Sequence, residues 1–223
     1  LSAQKNFQTV GNTADEADIL LSLSYTYCVF MRPDDARLAN ESAIEIYQKL
    51  GDQLGFANAL AQMATLNIHL LVFDEAQKFV LRSIPIFKEF HNAIGAARTQ
   101  ALLSKIEINH GQYDSATRLA NQALAEYLKT DIFSEQISLY TWLGHLATLQ
   151  NNFEAARQNL SQAEMLLDIH QSSVLRCQLL LECGLLCECQ CDFASAERNY
   201  QAAQDAARQS EYPEQIYIAR LCV

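Results

Sequence analysis

An all-α chain of antiparallel helical hairpins, stacked one upon the next, is what this sequence predicts, on three observations. First, the composition favours helix. Half of the 223 residues are apolar, with only three prolines and seven glycines, and alanine, leucine, glutamine and glutamate, all good helix formers, dominate. Second, FDEA (73–76), YDSA (113–116), FEAA (153–156) and FASA (193–196) recur at one spacing of about forty residues without a slip. Third, residues of matched size share that register. One column holds Ala36, Ala76, Ala116, Ala156 and Ala196, and a second Ala3, Ala43, Ser83, Ala123, Ala163 and Ala203. A third holds Ser24, Ala64, Ser104, Gly144 and Gly184, and an aromatic column runs Phe7, Tyr47, Phe87, Tyr127.

The register divides the chain into the end of a repeat at 1–12, five complete repeats at 13–52, 53–92, 93–132, 133–172 and 173–212, and the start of another at 213–223. In the first complete repeat Pro33 opens a second helix, where its missing N–H is harmless, and Gly51 ends it, as Gly11 ends the one before. In the next, ANALAQMATLNIHLL and DEAQKFVLRSIPIFKEF are two amphipathic stretches around a short break. Pro85 falls inside the second stretch and predicts a kink. Gly55 and Gly95 open first helices, Gly111 sits in a hairpin turn, and Gly144 and Gly184 allow close approach. Every glycine thus has a structural slot, and no phosphate-cradling loop or dinucleotide fingerprint is present, so no cofactor is expected. One hairpin cannot bury its apolar face alone, so hairpins must stack.

The small residue of each first helix, the aromatic before each second helix and the alanines seven apart within it resemble the tetratricopeptide repeat, most closely in YTWLGHLATLQNNFEAARQNLSQA (140–163). The forty-residue unit is longer than that family's usual one. It is similar to the repeats of kinesin light chains and of MalT-type bacterial regulators. The resemblance implies a right-handed α–α superhelix, with first helices lining the concave surface, and a scaffold for peptides or proteins; a reducing, cytoplasmic location is expected from the cysteine usage.

The ends carry their own expectation. Ala3, Phe7 and GN (11–12) align with Ala43, Tyr47 and GD (51–52), and PEQIYIARLCV begins a first helix at Pro213 without finishing it. The sequence therefore reads as a piece of a longer array, with apolar ends through which it is expected to self-associate.

A cluster of four cysteines, Cys183, Cys187, Cys189 and Cys191 in CGLLCECQC, raises the question of a metal site. Cys183 and Cys187 share a helix face one turn apart. Cys183 stands in an apolar column with Leu23, Met63, Leu103 and Leu143, and Cys191 in a turn position with Gly111 and Asn151. Only Cys189 is expected to face solvent. Cysteine serves well as a small buried hydrophobe, so the expected role is packing and no metal is expected. An odd total of seven cysteines also argues against a secreted disulfide framework.

The polar columns of the first helices mark the expected binding groove. Asp18, Asn58, Arg98, Ser138 and Gln178 form one, and Tyr25, Thr65, Lys105, His145 and Leu185 another, with the small Ala61, Ala101 and Thr141 between them. Arg98 and Lys105 lie two turns apart on one helix. In a row with amides and hydroxyls they suit an acidic peptide or a free C-terminus. Trp142, the sole tryptophan, is expected in helix packing. A formal charge of −10 tells against nucleic acid and anionic membranes, and no apolar run is long enough to span a bilayer. The five histidines are scattered, and His145 has no carboxylate in its own column, so catalysis is not expected. The leading reading is a non-catalytic binding scaffold. The alternative is a ligand-sensing or regulatory arm of a larger bacterial signalling protein, such as a transcription activator or a nucleotide cyclase.

Overall fold

The computed structural model describes residues 13–30 and 32–210. The expectations about residues 1–12 and 213–223 lie outside the described residues. Within them ten helices follow one another and no strand occurs: α1 (Ala14–Val29), α2 (Pro33–Leu50), α3 (Gln53–His69), α4 (Phe73–Glu89), α5 (Ala93–Asn109), α6 (Tyr113–Tyr127), α7 (Phe133–Leu149), α8 (Phe153–His170), α9 (Ser173–Cys189) and α10 (Phe193–Ser210). None of these is long and apolar enough to cross a membrane. The chain forms two compact units, residues 1–106 and 107–223.

Each break is made by the backbone. Leu71, Gly111, Asn151 and Cys191 adopt left-handed φ of 59°, 71°, 57° and 60°. The residue after each donates its N–H five positions back, as in Val72 to the Asn67 carbonyl (2.8 Å) and Asp192 to that of Cys187 (2.9 Å). This pattern satisfies the orphaned carbonyls of a helix end. Gly51 and His91 reverse the chain the same way after second helices, and Gln171 is also left-handed, with its own N–H donated to the Leu167 carbonyl at 2.8 Å. The following helix is capped by a side chain at several of these points. Asp52 accepts from the Gly55 N–H (2.9 Å), Asn92 from that of Gly95 (2.8 Å) and Asp192 from that of Ser195 (3.1 Å). Pro85 does not end α4, which runs from Phe73 to Glu89 around it.

In the first unit the core gathers Ala57, Ala61, Ala64, Ala76, Val80, Phe87, Leu102 and Ile106, with a second cluster of Ala17, Ala43, Ile46, Tyr47 and Ala59. Gly55 and Gly95 do more than open helices. A Cβ at either would run into the ring of Tyr47 or Phe87, so the aromatic column of the second helices packs flat onto the glycines of the next first helix. Burial of these rings and the hydrogen bond from the Tyr47 hydroxyl to Asp18 (2.6 Å) raise the tyrosine pKa above its ordinary value.

In the second unit Ile137, Ala156, Leu160, Ala163, Leu167, Leu179 and Leu186 form the core, and Cys177, Ala203, Ala206 and Ala207 extend it. Within each hairpin the small-residue column of the first helix faces the residue sixteen positions on. A Cβ on Gly144 would lie 2.5 Å from Leu160 Cδ2, and one on Gly184 would enter the ring of Tyr200. In the first unit Ala64 and Val80, the same distance apart in sequence, share one core cluster. The smaller the first partner, the larger the second, as close packing requires. Ser24 and Asn40 occupy the equivalent positions of the first hairpin, both buried, and neither side chain finds a hydrogen-bond partner.

Three substitutions test this account by chemical denaturation. Gly144→Ala improves helix propensity but overpacks against Leu160, and is expected to cost about 1–2 kcal/mol net. Adding Leu160→Val, which recreates the Ala64/Val80 pair, should recover most of that loss; additive destabilisation would refute the pairing. Leu71 is 74% exposed at positive φ, so Leu71→Gly should stabilise by roughly 0.5–1 kcal/mol.

Candidate binding faces of the first helices

The exposed parts of α1, α3 and α5 form the candidate face of the first unit. Tyr25 and Lys105 are exposed, and Asn58, Thr65 and Arg98 are half-buried. Arg98 is held from the side: its Nη2 donates to Gln62 Oε1 at 2.6 Å, fixing the guanidinium against the preceding first helix. Gln62 lies 36 positions before Arg98 rather than a full repeat, so the contact joins two different positions of the repeat. The sequence columns missed it for that reason. Thr65 returns its hydroxyl to the Ala61 carbonyl (3.0 Å), so that donor is spent within its own helix. Ala61 is fully buried and belongs to the core.

At the far ends of α1 and α3, His69 Nδ1 lies 3.1 Å from Cys28 Sγ. Burial of the imidazole, and then the charge of Lys105, hold its pKa below the ordinary histidine value. Both residues sit at helix C-termini, where the dipole opposes a thiolate.

In the second unit α7 and α9 supply the candidate face. Ser138 and Gln178 are half-buried, and Ser138 donates to the Ser134 carbonyl at 2.8 Å. Thr141, expected among the small exposed positions, is instead buried, with 7% exposure and no partner for its hydroxyl. It shares that burial with Ala61 of the same column.

His145 meets a partner that its own column does not contain. It does have a carboxylate: Glu182 of α9 lies with Oε2 2.8 Å from its Nδ1, and both side chains are only about a quarter exposed. Glu182 stands 37 positions on, so this pair too joins different positions of the repeat and does not show in the sequence columns. Trp142 stacks on the same imidazole, with ring centroids 5.2 Å apart and planes at 14°. An open depression of about 610 Å³, lined by Glu154, Arg157 and Gln158 among others, belongs to the second helix α8.

The cysteines separate into two environments. Cys183 is half-buried against the core, and burial, reinforced by Glu164, Cys187 and Glu182, pushes its thiol up to about 12. Cys187 is also raised, chiefly by burial, and receives a hydrogen bond from Asn199 Nδ2 at 3.6 Å. Cys189 and Cys191 are both exposed, so Cys189 is not alone in facing solvent. The left-handed turn carries Cys191 outward. Zinc needs converging thiolates, and burial drives the first two away from that form. Among the described residues, no group of three or more histidine, cysteine or acidic side chains is placed to hold a metal ion.

Solved structures similar to this chain include a Rap protein complexed with competence and sporulation factor, 14% identical over 98% of this chain and 66% of its own, with a TM-score of 0.74. Aspartyl phosphate phosphatase F from Bacillus subtilis is also 14% identical, over 94% of this chain and 58% of its own, with a TM-score of 0.66. TPR-like kinesin light chain repeats from Podosopora anserina match at 14% identity over 89% of this chain and 98% of theirs, with a TM-score of 0.60. This chain thus spans less than two thirds of the length of the first two. No protein-family model and no curated protein matches it.

Timed alkylation under native conditions should label Cys189 and Cys191 first and Cys183 last, with the slow reaction of Cys183 accelerating only above about pH 11. Rapid neutral-pH labelling of Cys183 would contradict its burial. From the helical hairpins and these structural likenesses together, the chain has the all-α fold of the tetratricopeptide-like helical repeats.

Proposed function

We propose that this chain is a non-catalytic scaffold whose first-helix faces bind a peptide or protein segment. One observation carries the reading: Arg98, which the Gln62 carbonyl oxygen braces at 2.6 Å, shares its helix face with Lys105 two turns on. A braced guanidinium loses little side-chain entropy when it meets a ligand. The pair favours a carboxylate, whether an acidic side chain or a free C-terminus. Tyr25, Asn58 and Thr65 stand on the neighbouring first helices of that unit, and Ser138, His145 and Gln178 extend the reading to the second unit. The repeat boundaries at 13, 53, 93, 133 and 173 follow from the same proposal, each opening a first helix that contributes to a face.

A second reading, a ligand-sensing regulatory arm of a larger protein, is favoured by the likeness to a Rap protein bound to a named factor, of which this chain spans 66%.

The test is fluorescence anisotropy with a labelled acidic peptide ending in a free carboxylate. The double reversal Arg98→Glu with Lys105→Glu should weaken binding by about tenfold or more, while the circular dichroism spectrum stays unchanged. Undiminished binding by a folded double variant would remove the site from this face.

A further inference from the structure

Glu182 is poorly matched to its surroundings. Its side chain is 25% exposed, and among the described residues its ion-pair partner is an imidazole rather than a lysine or arginine. Neither α7 nor α9 contains a lysine, and their one arginine, Arg176, is paired with Asp168 at 3.1 Å. Removing a carboxylate from water is costly unless a counter-charge meets it. The geometry also defines the proton. An ionised carboxylate can only accept, so with Glu182 ionised it is the His145 Nδ1–H that donates to Oε2, and Oε1 remains to accept.

The other groups on this face select the same kind of guest. The Trp142 indole and the His145 imidazole lie nearly parallel at 5.2 Å, which brings two π systems beside the carboxylate. Aromatic faces attract cations, and indole does so best. Gln178, one turn before Glu182 on α9 and half-buried, adds an amide oxygen on the same helix face. Ser138 stands one turn before Trp142 with its hydroxyl proton already donated to Ser134, so its oxygen can still accept. Acceptors and π faces are present together.

We propose that Trp142, His145 and Glu182, with Gln178, form a subsite for a cationic side chain of a bound peptide, an arginine guanidinium before a lysine ammonium. A planar fork can stack on the indole while pairing with the carboxylate edge, and an ammonium cannot do both. The inference rests on the reading of first-helix faces as peptide-binding surfaces. It assigns the second unit a charge preference opposite to that of Arg98 and Lys105. His145 acts here as a positioning residue: it orients Glu182 and supports the indole.

The test uses the sole tryptophan as reporter. The indole N–H resonance of Trp142 is followed by NMR while the protein is titrated with acetyl-arginine methylamide, and in parallel with acetyl-citrulline methylamide, a neutral probe of the same shape. Arginine should move the resonance saturably and citrulline should not. Glu182→Gln should weaken the arginine response by about tenfold or more. Glu182→Asp, which keeps the charge, should retain part of it, and Glu154→Gln on α8 should leave it unchanged. Equal responses to the two probes, or a Glu182→Gln variant that responds like the parent, would overturn the subsite. Should the arginine probe be silent while acidic peptide still depends on Arg98 and Lys105, the subsite fails and the binding-scaffold reading stands. Failure of both would remove that reading as well.

Discussion

Close approach between the two helices of a hairpin is the constraint on which the rest of this structure depends. Gly144 faces Leu160, Gly184 faces Tyr200, and Ala64 shares a cluster with Val80, sixteen positions apart in each case. The size of one partner sets the size of the other, because a core at crystal-like density tolerates neither a void nor a clash. The hairpin then presents a flat back to its neighbour. On that back the rings of Tyr47 and Phe87 meet Gly55 and Gly95, where any side chain would collide. The paired positions of the first hairpin, Ser24 and Asn40, depart from this rule. Both are buried and polar without partners, and the missing hydrogen bonds weaken that hairpin relative to the others.

Stacking at this distance also decides what the polar surface can do. Neighbouring first helices sit close enough for a side chain on one to brace a side chain on the next, and the positions that meet are not equivalent ones of the repeat. Gln62 therefore meets Arg98, and His145 meets Glu182, at separations of 36 and 37 rather than a whole repeat. Each contact restricts a long or rotatable side chain before any ligand arrives. The two faces that result differ in charge. One offers a guanidinium and an ammonium, while the other offers a carboxylate set among aromatic rings. Under the proposed function, each such face would recognise a peptide segment by the position of its fixed groups as well as by charge.

The cysteine-rich segment illustrates the limits of counting residues. Four thiols in nine positions look like a metal site, yet their environments diverge. Cys183 and Cys187 face packed neighbours and have raised pKa values with burial as the leading cause, whereas Cys189 and Cys191 face solvent at the end of α9 and in the turn beyond. Convergence in sequence is not convergence in space when a helix end and a left-handed turn lie between.

The sequence by itself determined the periodic part of this protein. Helical hairpins, their forty-residue register, the buried alanine columns and the structural duties of Gly51, Gly111, Gly144 and Gly184 were legible, because burial repeats wherever the same side-chain size repeats, whereas the ring contacts of Gly55 and Gly95 were not. The polar columns were legible too, as faces rather than as contacts. What only the tertiary structure decided were the cross-helix partners and the exceptions. Glu182 reaches His145, Gln62 braces Arg98, Thr141 turns inward, and Leu71, Asn151 and Cys191 take left-handed turns that ordinarily favour glycine. The reason is geometric. A column records positions that are equivalent by translation along the chain, whereas a contact depends on which side of one helix lies against which side of the next, and no single residue encodes that arrangement.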